Sequence, residues 1–305
     1  ELKRIDEAIA SYDQAIAIDP HHIESHWNSA NCNLMKGNFD LGWQFYEWRW
    51  LDGSFESKPL KTNKPAWNYQ KINKRLLIWE EQGIGDQILF GSLLCELLDI
   101  MPDLLVKIDK RLIPIFKRSF PKIKFYPHDA DVPESDYDIH LPIGSLGKCF
   151  RNSDIDFSKT KNTFLISDET KTQKIRQELS ASKKLFCGVS WRSKNVKTGA
   201  ARSLPLDKLA SIFDPEKICL VNLQYGDITD DLNVLKSKSN IEFIQYEPVD
   251  NFNDLDGFAS LIDACDFVVS IDNSTIHISA ALGKKSFVLL PFAAEWRWLI
   301  GHHDS

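Results

Sequence analysis

Asp272, Asn273, Ser274 and Thr275 are four small polar residues in a row, and His277 stands two places beyond them. They lie between two apolar runs, Phe267-Val268-Val269-Ser270-Ile271 and Ser286-Phe287-Val288-Leu289-Leu290, the second closed by Pro291. The β-branched content of both runs predicts strands. Between them Ile276, Ala280 and Ala281 keep helical spacing, and Gly283 is placed as the C-cap. Strand, short helix and strand make a βαβ unit whose two strands are parallel and buried. The polar quartet then occupies a helix N-terminus at a strand's carboxyl end. Unpaired amides and a partial positive charge favour a phosphate there, and open α/β sheets bind ligands along that edge. His277 adds a side-chain donor. The same residues fit a plain capped helix equally well, with Asp272 or Ser274 satisfying backbone donors.

Two more loops have the composition of a binding edge. After the strand Leu185-Phe186-Cys187-Gly188-Val189-Ser190-Trp191, residues 192–202 supply Arg192, Lys194, Lys197 and Arg202 without one acidic residue. A basic, glycine-containing loop at a strand's end suits an anion, although the GxxxxGK[ST] pattern of a Walker loop is absent. After the strand Ile218–Leu223 comes Gln224-Tyr225-Gly226-Asp227. Three strand ends are thus expected to turn basic, polar and small residues toward one crevice. In the first half, the strand Leu76–Trp79 runs into Glu80-Glu81-Gln82-Gly83-Ile84-Gly85-Asp86 and a helix through Leu89, Leu93, Leu97 and Ile100. Gly83 and Gly85 allow a tight turn, and Asp86 stands where an N-cap is expected. This is a Rossmann-type first turn without GxGxxG, so it implies no dinucleotide.

The elements that position these loops are predicted as two α/β domains behind a helical segment. Ile5, Ala8, Ile9, Tyr12, Ala15 and Ile16 form one helical stripe, Ile23, Trp27, Ala30 and Leu34 a second, and Phe39, Trp43, Tyr46 and Trp50 a third. Pro20 and Gly37 punctuate them. Residues 1–51 are therefore helical and 52–74 a linker that docks aromatics such as Trp67 and Tyr69. Residues 75–167 form the first α/β domain, with further strands at Leu104–Ile108, Lys122–Tyr126 and Tyr137–Leu141 and helices at Leu112–Phe120 and Ser145–Phe150. Residues 168–305 form the second, opening with a connecting helix at Glu169–Ser180. A length of 305 residues suits about two domains and a small addition. The net charge of -6 argues against a nucleic-acid partner, which calls for a basic excess. No signal peptide is visible, and Glu96 and Asp99 break the apolar run 88–101, so no transmembrane segment is predicted. Six cysteines scattered singly, with no CxxC, fit a reducing cytosol and neither a zinc site nor a disulfide frame. The pairs Asp129/Asp131 and Asp136/Asp138 have the DxD spacing of a metal-bound nucleotide sugar, but 43 acidic residues produce such pairs freely, and they are read as solvated. His21, His22 and His26 follow Pro20 in a polar turn and are not expected to hold a metal. Ser190 and His277 lack the GxSxG elbow of a hydrolase.

Ala8, Tyr12, Ala15 and Pro20 match the second half of a tetratricopeptide repeat, and Gly37, Phe39 and Tyr46 match the next one. Gly42 and Asn33 depart from its usual residues. Glu81-Gln82-Gly83-Ile84-Gly85-Asp86, Gly188-Val189-Ser190-Trp191, Leu223-Gln224-Tyr225-Gly226, Ser270-Ile271-Asp272-Asn273 with His277, and Glu295-Trp296-Arg297-Trp298 follow in order, and Gly42-Trp43 and Tyr46-Glu47-Trp48-Arg49-Trp50 precede them. Together they resemble bacterial tetratricopeptide proteins that carry a heptosyltransferase-like module (glycosyltransferase family nine type, GT-B fold). The resemblance covers nearly the whole chain.

It implies a nucleotide-sugar-dependent, inverting, metal-independent glycosyltransferase with two Rossmann-like domains facing across a cleft, the first for the acceptor and the second for the donor. It needs no cofactor beyond the nucleotide-diphosphate sugar. Carried over, Asp272, Asn273, Ser274, Thr275 and His277 contact the donor's pyrophosphate and sugar. Arg202 offsets the charge of the leaving diphosphate, Arg192 lies on the donor side, and Gln224 and Tyr225 line the nucleoside pocket. Asp86 matches the base, beside Gln82, Gly83 and Gly85 on the acceptor side. Glu80 or Glu81 is the alternative base, and a helix N-cap the alternative role for Asp86. Asn273 stands where many heptosyltransferases have Thr. Relatives continue past Asp304-Ser305, so the second domain is expected to be truncated. The acceptor is a glycan, a lipid-linked saccharide or a protein side chain, and a protein partner is expected through the helices. A cytoplasmic location follows, with peripheral attachment at the inner membrane face as a variant. Two rivals remain: a non-catalytic scaffold or sensor with a degenerate nucleotide-sugar module, and a nucleotide-sugar epimerase that needs no acceptor.

Overall fold

Leu76–Trp79 (β1) is buried at every position, as a strand covered on both faces must be. The computed structural model describes residues 4–71, 73–159, 161, 163–179, 183–195 and 198–299. In it β1 pairs in parallel with Leu104–Ile108 (β2) and Ile139–Pro142 (β4), and Lys124–Pro127 (β3) lies outside β2. The order β3-β2-β1-β4 puts the reversal of strand order between β1 and β4. The chain divides into two compact units, and this sheet lies in the first, made of Glu1–Ile108, Ile123–Lys161 and Phe292–Ser305.

Helices Ile5–Ile18 (α1), Ile23–Lys36 (α2) and Phe39–Tyr46 (α3) pack in sequence order, α1 on α2 and α2 on α3. Gly37 ends α2 in the left-handed region (φ 85), and its amide and that of Asn38 return to Leu34 and Asn33. A Cβ on Gly42 would fall 2.7 Å from Leu34 Cδ2, so glycine permits the close approach of α3 to α2. Trp43 is core: its ring lies over Gly147 and its Nε1 donates to the Arg151 carbonyl at 2.5 Å. The linker is stitched along β4. Ala66 bridges His140, the Trp67 amide donates to the His140 carbonyl at 2.8 Å, and Tyr69 packs on the Trp67 ring. After β1 the expected single helix is two, Ile84–Gly91 (α4) and Leu94–Ile100 (α5). The break follows a Gly91-Ser92 pair, where Ser92 Oγ donates to the Leu89 carbonyl at 2.6 Å.

The second unit comprises Asp109–Lys122 and Asn162–Pro291. Its parallel strands are Leu185–Ser190 (β5), Ile218–Asn222 (β6), Glu242–Ile244 (β7), Phe267–Ile271 (β8) and Ser286–Leu289 (β9), in the order β7-β6-β5-β8-β9. Cys187, Val189, Trp191, Leu220 and Val269 lie at the centre of its core. Helix Ile113–Ser119 (α6) follows β2 in sequence but belongs to this unit, where Arg118 makes two bonds to the buried Asp256, at 2.8 and 3.0 Å. Asp109–Lys122, 162–167 and Phe292–Ser305 therefore fall on the other side of the partition drawn from sequence at 167/168. Strand β7 and the helix Thr229–Lys238 carry no clear periodicity, and sequence reading passed over both. All six cysteines are free thiols; burial pushes Cys219 and Cys265 up to about 12.

One ion pair joins the helical segment to the first sheet. Arg49, in the short turn Glu47–Trp50 after α3, donates from Nη2 and Nε to Glu81 Oε2 at 2.9 and 3.1 Å, and both side chains are fully buried. It also reaches Ser145 Oγ at 3.0 Å, the Tyr46 carbonyl at 2.9 Å and Glu47 at 3.2 Å. Burial raises the Glu81 carboxyl above its ordinary value, opposed by the guanidinium. Burial also disfavours the Arg49 cation, and Glu81 and Glu47 more than offset it. Removing one partner strands a buried charge, so Arg49→Met or Glu81→Leu should each cost about 3–5 kcal/mol in urea unfolding. Arg49→Met with Glu81→Leu should recover most of that. A double variant no more stable than the sum of the singles would show that the two charges do not compensate one another.

Candidate functional site

In the second unit the order of strands reverses between β5 and β8, and the predicted polar quartet stands there. Asn273 is the N-cap of the helix Ser274–Ala281; its Oδ1 accepts from the Thr275 amide at 3.0 Å. Neither Asp272 nor Ser274 takes that place, because Asn273 holds the extended backbone before the first turn. Its Nδ2 donates to Ser190 Oγ at 2.8 Å, across from β8 to β5. Ser190 Oγ donates onward to Gln224 Oε1 at 3.2 Å. The same oxygen accepts the amides of Trp191 at 3.0 Å and Arg192 at 2.8 Å. Three strand ends are thus tied edge to edge by Asn273, Ser190 and Gln224. Gln224 is 2% exposed; its Oε1 is taken by this crosslink and its Nε2 donates to the Tyr225 carbonyl at 3.2 Å.

Arg202 reaches the same edge from the loop after β5, with Nη1 3.4 Å from Asp272 Oδ2 and 3.5 Å from the Asp272 carbonyl. Thr275 and His277 are buried on the first turns of the helix, and Ser274 is half-buried. Arg202 and Asp272 are brought together at this edge, with Asn273 next in sequence. Tyr225 is set on the β6 side: its hydroxyl accepts the Lys194 amide at 3.1 Å, and its ring packs on Phe252 with centroids 5.6 Å apart. Arg192 turns toward the helix Thr229–Lys238, pairing with Asp231 at 3.1 Å and donating to the Asp227 carbonyl at 2.6 Å. An acid from the helix after β6 thus pairs with a stretch that has none of its own. Lys197 lies outside the described residues.

In the first unit the loop after β1 stands at the reversal between β1 and β4. Asp86 is on the first turn of α4 as its third residue, and the N-cap is Gly83, whose amide donates to Asp86 Oδ2 at 3.1 Å. The cap lies three residues before the position the sequence predicts, because α4 begins at Ile84. The left-handed position falls on Gln82 (φ 59), with Gly83 at φ -89 and Gly85 inside the helix. The glycines are therefore not what makes this turn possible. Gln82 is held there by its amide on Ser57 Oγ at 2.7 Å and its Nε2 on the Tyr46 hydroxyl at 2.7 Å. Glu81, weighed as an alternative base, is consumed by Arg49. Asp86 Oδ1 accepts from Arg297 Nη2 at 2.8 Å. Arg297 sits in the Glu295-Trp296-Arg297-Trp298 run, and no local spacing links residue 297 to residue 86.

These two parallel sheets have counterparts among solved structures. A glycosyl transferase family 9 protein from Veillonella parvula DSM 2008 matches 76% of this chain and 84% of its own, with a TM-score of 0.54 and 14% identity. The ADP-heptose lps heptosyltransferase II of E. coli matches 70% of this chain and 84% of its own, with a TM-score of 0.51 and 15% identity. The fold resembles that of these two glycosyltransferases. No family model matches the chain. In sequence it is 28% identical over 284 residues to Protein FlbA of Caulobacter vibrioides, which covers 86% of this chain and 47% of FlbA. The chain thus spans about half the length of the curated relative it matches.

Of the DxD pairs in this family 9-like fold, Asp136 accepts from the Tyr126 hydroxyl at 2.6 Å and Lys124 at 3.0 Å, and Asp138 accepts from Arg75 at 2.9 Å. No cluster of three or more His, Cys, Asp or Glu placed to hold a metal occurs among the described residues. No described helix is long and apolar enough to cross a membrane.

Gln224→Leu would orphan the Trp191 and Arg192 amides and the Ser190 hydroxyl. It should cost about 2–4 kcal/mol in urea unfolding, and Gln224→Glu, which keeps an acceptor, distinctly less; a loss below about 0.5 kcal/mol would discount the crosslink. The Arg75 guanidinium lowers the Asp138 carboxyl from 3.8 to about 2. A depressed carboxyl adds stability above its unfolded value, so this contribution fades as pH falls from 3.8 toward about 2. The pair is partly exposed and its effect small. Acid unfolding of Asp138→Asn should show a shallower pH slope across that window, and an unchanged slope would count against it.

Proposed function

We propose that this chain is a glycosyltransferase that moves a sugar from a nucleotide-diphosphate sugar to a hydroxyl of a glycan, a lipid-linked saccharide or a protein side chain. It does so without a metal and with inversion at the anomeric carbon. The observation that carries this reading is the position of both motif loops, each at the reversal of strand order of its own sheet, where α/β folds bind ligands. The second unit would hold the donor and the first the acceptor. Asp86 takes the proton of the acceptor hydroxyl, whose oxygen bonds to the anomeric carbon. The bond from that carbon to the diphosphate oxygen breaks, and its electron pair leaves with the nucleotide diphosphate. Arg202, His277 and the first-turn amides after Asn273 stabilise the negative charge that builds there. Asp272 and Ser274 contact the sugar and pyrophosphate, and Tyr225 flanks the nucleoside. The helices α1–α3 are read as tetratricopeptide-like and as the place where a protein partner docks.

A second reading, nucleotide binding without transfer, draws on one observation: both oxygens of Asp86 are already engaged, by Gly83 and by Arg297. It expects sugar nucleotides to bind without turnover and Asp86→Asn to change nothing.

Melting the protein with ADP, GDP, UDP and CMP in turn tests the donor half. One nucleotide at about 100 times its Kd should raise the melting temperature by about 2–5 °C. His277→Ala combined with Arg202→Ala should abolish the rise. If all four are silent, the assignment of the β5/β8 edge to a donor fails.

A further inference from the structure

We infer that Arg297 is a positioning residue that fixes the orientation of the Asp86 carboxylate. The inference rests on the proposed reading for its catalytic consequence, but its structural content stands on the first unit alone. Asp86 Oδ2 is directed to the Gly83 amide at 3.1 Å, and Oδ1 to Arg297 Nη2 at 2.8 Å. Two donors on two different oxygens fix the carboxylate plane, which one capping bond leaves free to swivel. The guanidinium is itself held. Its Nη2 also lies 2.7 Å from Glu295 Oε2, and its side chain is 10% exposed.

The backbone that presents it is anchored by Trp296. That ring packs against Trp43, Tyr46 and Phe90, with centroids at 5.3, 6.1 and 6.3 Å. Tyr46 receives the Gln82 amide from the same loop. The segment after β9 thus closes a ring of contacts around the turn that carries Asp86. A tether for the C-terminal segment would need only the tryptophan. The arginine adds a charge-assisted bond aimed at one carboxylate oxygen.

The test compares the intact chain with Arg297→Met and Arg297→Lys. Crystal structures report the carboxylate, and release of nucleotide diphosphate from ADP-glucose, GDP-mannose and UDP-glucose reports transfer to water. In Arg297→Met the Asp86 side chain should swing off its present rotamer while α4 stays in place. On any sugar nucleotide the wild type turns over, kcat should fall about 100-fold, the scale set by a misplacement of about 1 Å. Calorimetric affinity for the matching nucleotide should be unchanged. Arg297→Lys, which keeps the charge and folds if the methionine variant does not, should recover at least about tenfold of that loss and return the carboxylate. A carboxylate that holds its rotamer in Arg297→Met overturns the inference. So does full turnover in Arg297→Met where Asp86→Asn is inactive. A swung carboxylate in a protein whose wild type turns over none of the three supports the positioning role and counts against the transferase reading.

Discussion

The bond between Arg49 and Glu81 is the constraint on which the first unit depends. Two fully buried opposite charges cannot be separated without leaving one of them uncompensated, a penalty of several kcal/mol. The pair therefore fixes three pieces of chain to one another: the turn after α3, the loop after β1, and Ser145 beyond β4. A Cβ on Gly144 would fall 1.7 Å from Glu81 Oε1, so the backbone itself has been cleared to admit the carboxylate. Guanidinium stacking on Tyr46 and Trp50, at 4.5 and 4.8 Å, completes the packing. The helices are, by this bond, part of the wall of the candidate acceptor loop and no mere appendage.

The second unit achieves the same end without charge. Asn273, Ser190 and Gln224 form a chain of neutral hydrogen bonds across three strand ends. The two solutions suit different loads. The loop that carries Asp86 is braced from behind by an ion pair, whereas the β5/β8 edge keeps a cation, Arg202, at its rim. Arg202 is half-buried beside Asp272, close enough to the helix start to act with it.

Much of this was legible in the chain. Buried parallel strands announce themselves as unbroken runs such as Leu76-Leu77-Ile78-Trp79 and Phe267-Val268-Val269-Ser270-Ile271, and their ends mark the loops. The quartet 272–275, Arg202 and the turn 80–86 lie in the loops that follow such runs. What local pattern could not supply was partnership at a distance. That Glu81 is buried against Arg49, that Arg192 turns to Asp231, and that Arg297 meets Asp86 are facts of tertiary contact. Capping details were misjudged for a related reason. Asp86 and Asn273 each hydrogen-bond backbone near a helix start, and only φ and ψ tell a cap from a third residue reaching back.

The path of the chain has its own consequence. It passes from one unit to the other at 108/109, 122/123, 161/162 and 291/292, so neither unit is a continuous stretch of sequence. A single cut anywhere leaves both halves short of pieces they pack with. The gene for such a protein cannot be shuffled by one recombination event that trades one lobe for a cousin's. A chimera would have to exchange α6 together with everything from 162 to 291, and leave the run at 292–299 behind. Selection on the two lobes is thereby coupled, and each is expected to change by point substitution rather than by wholesale replacement.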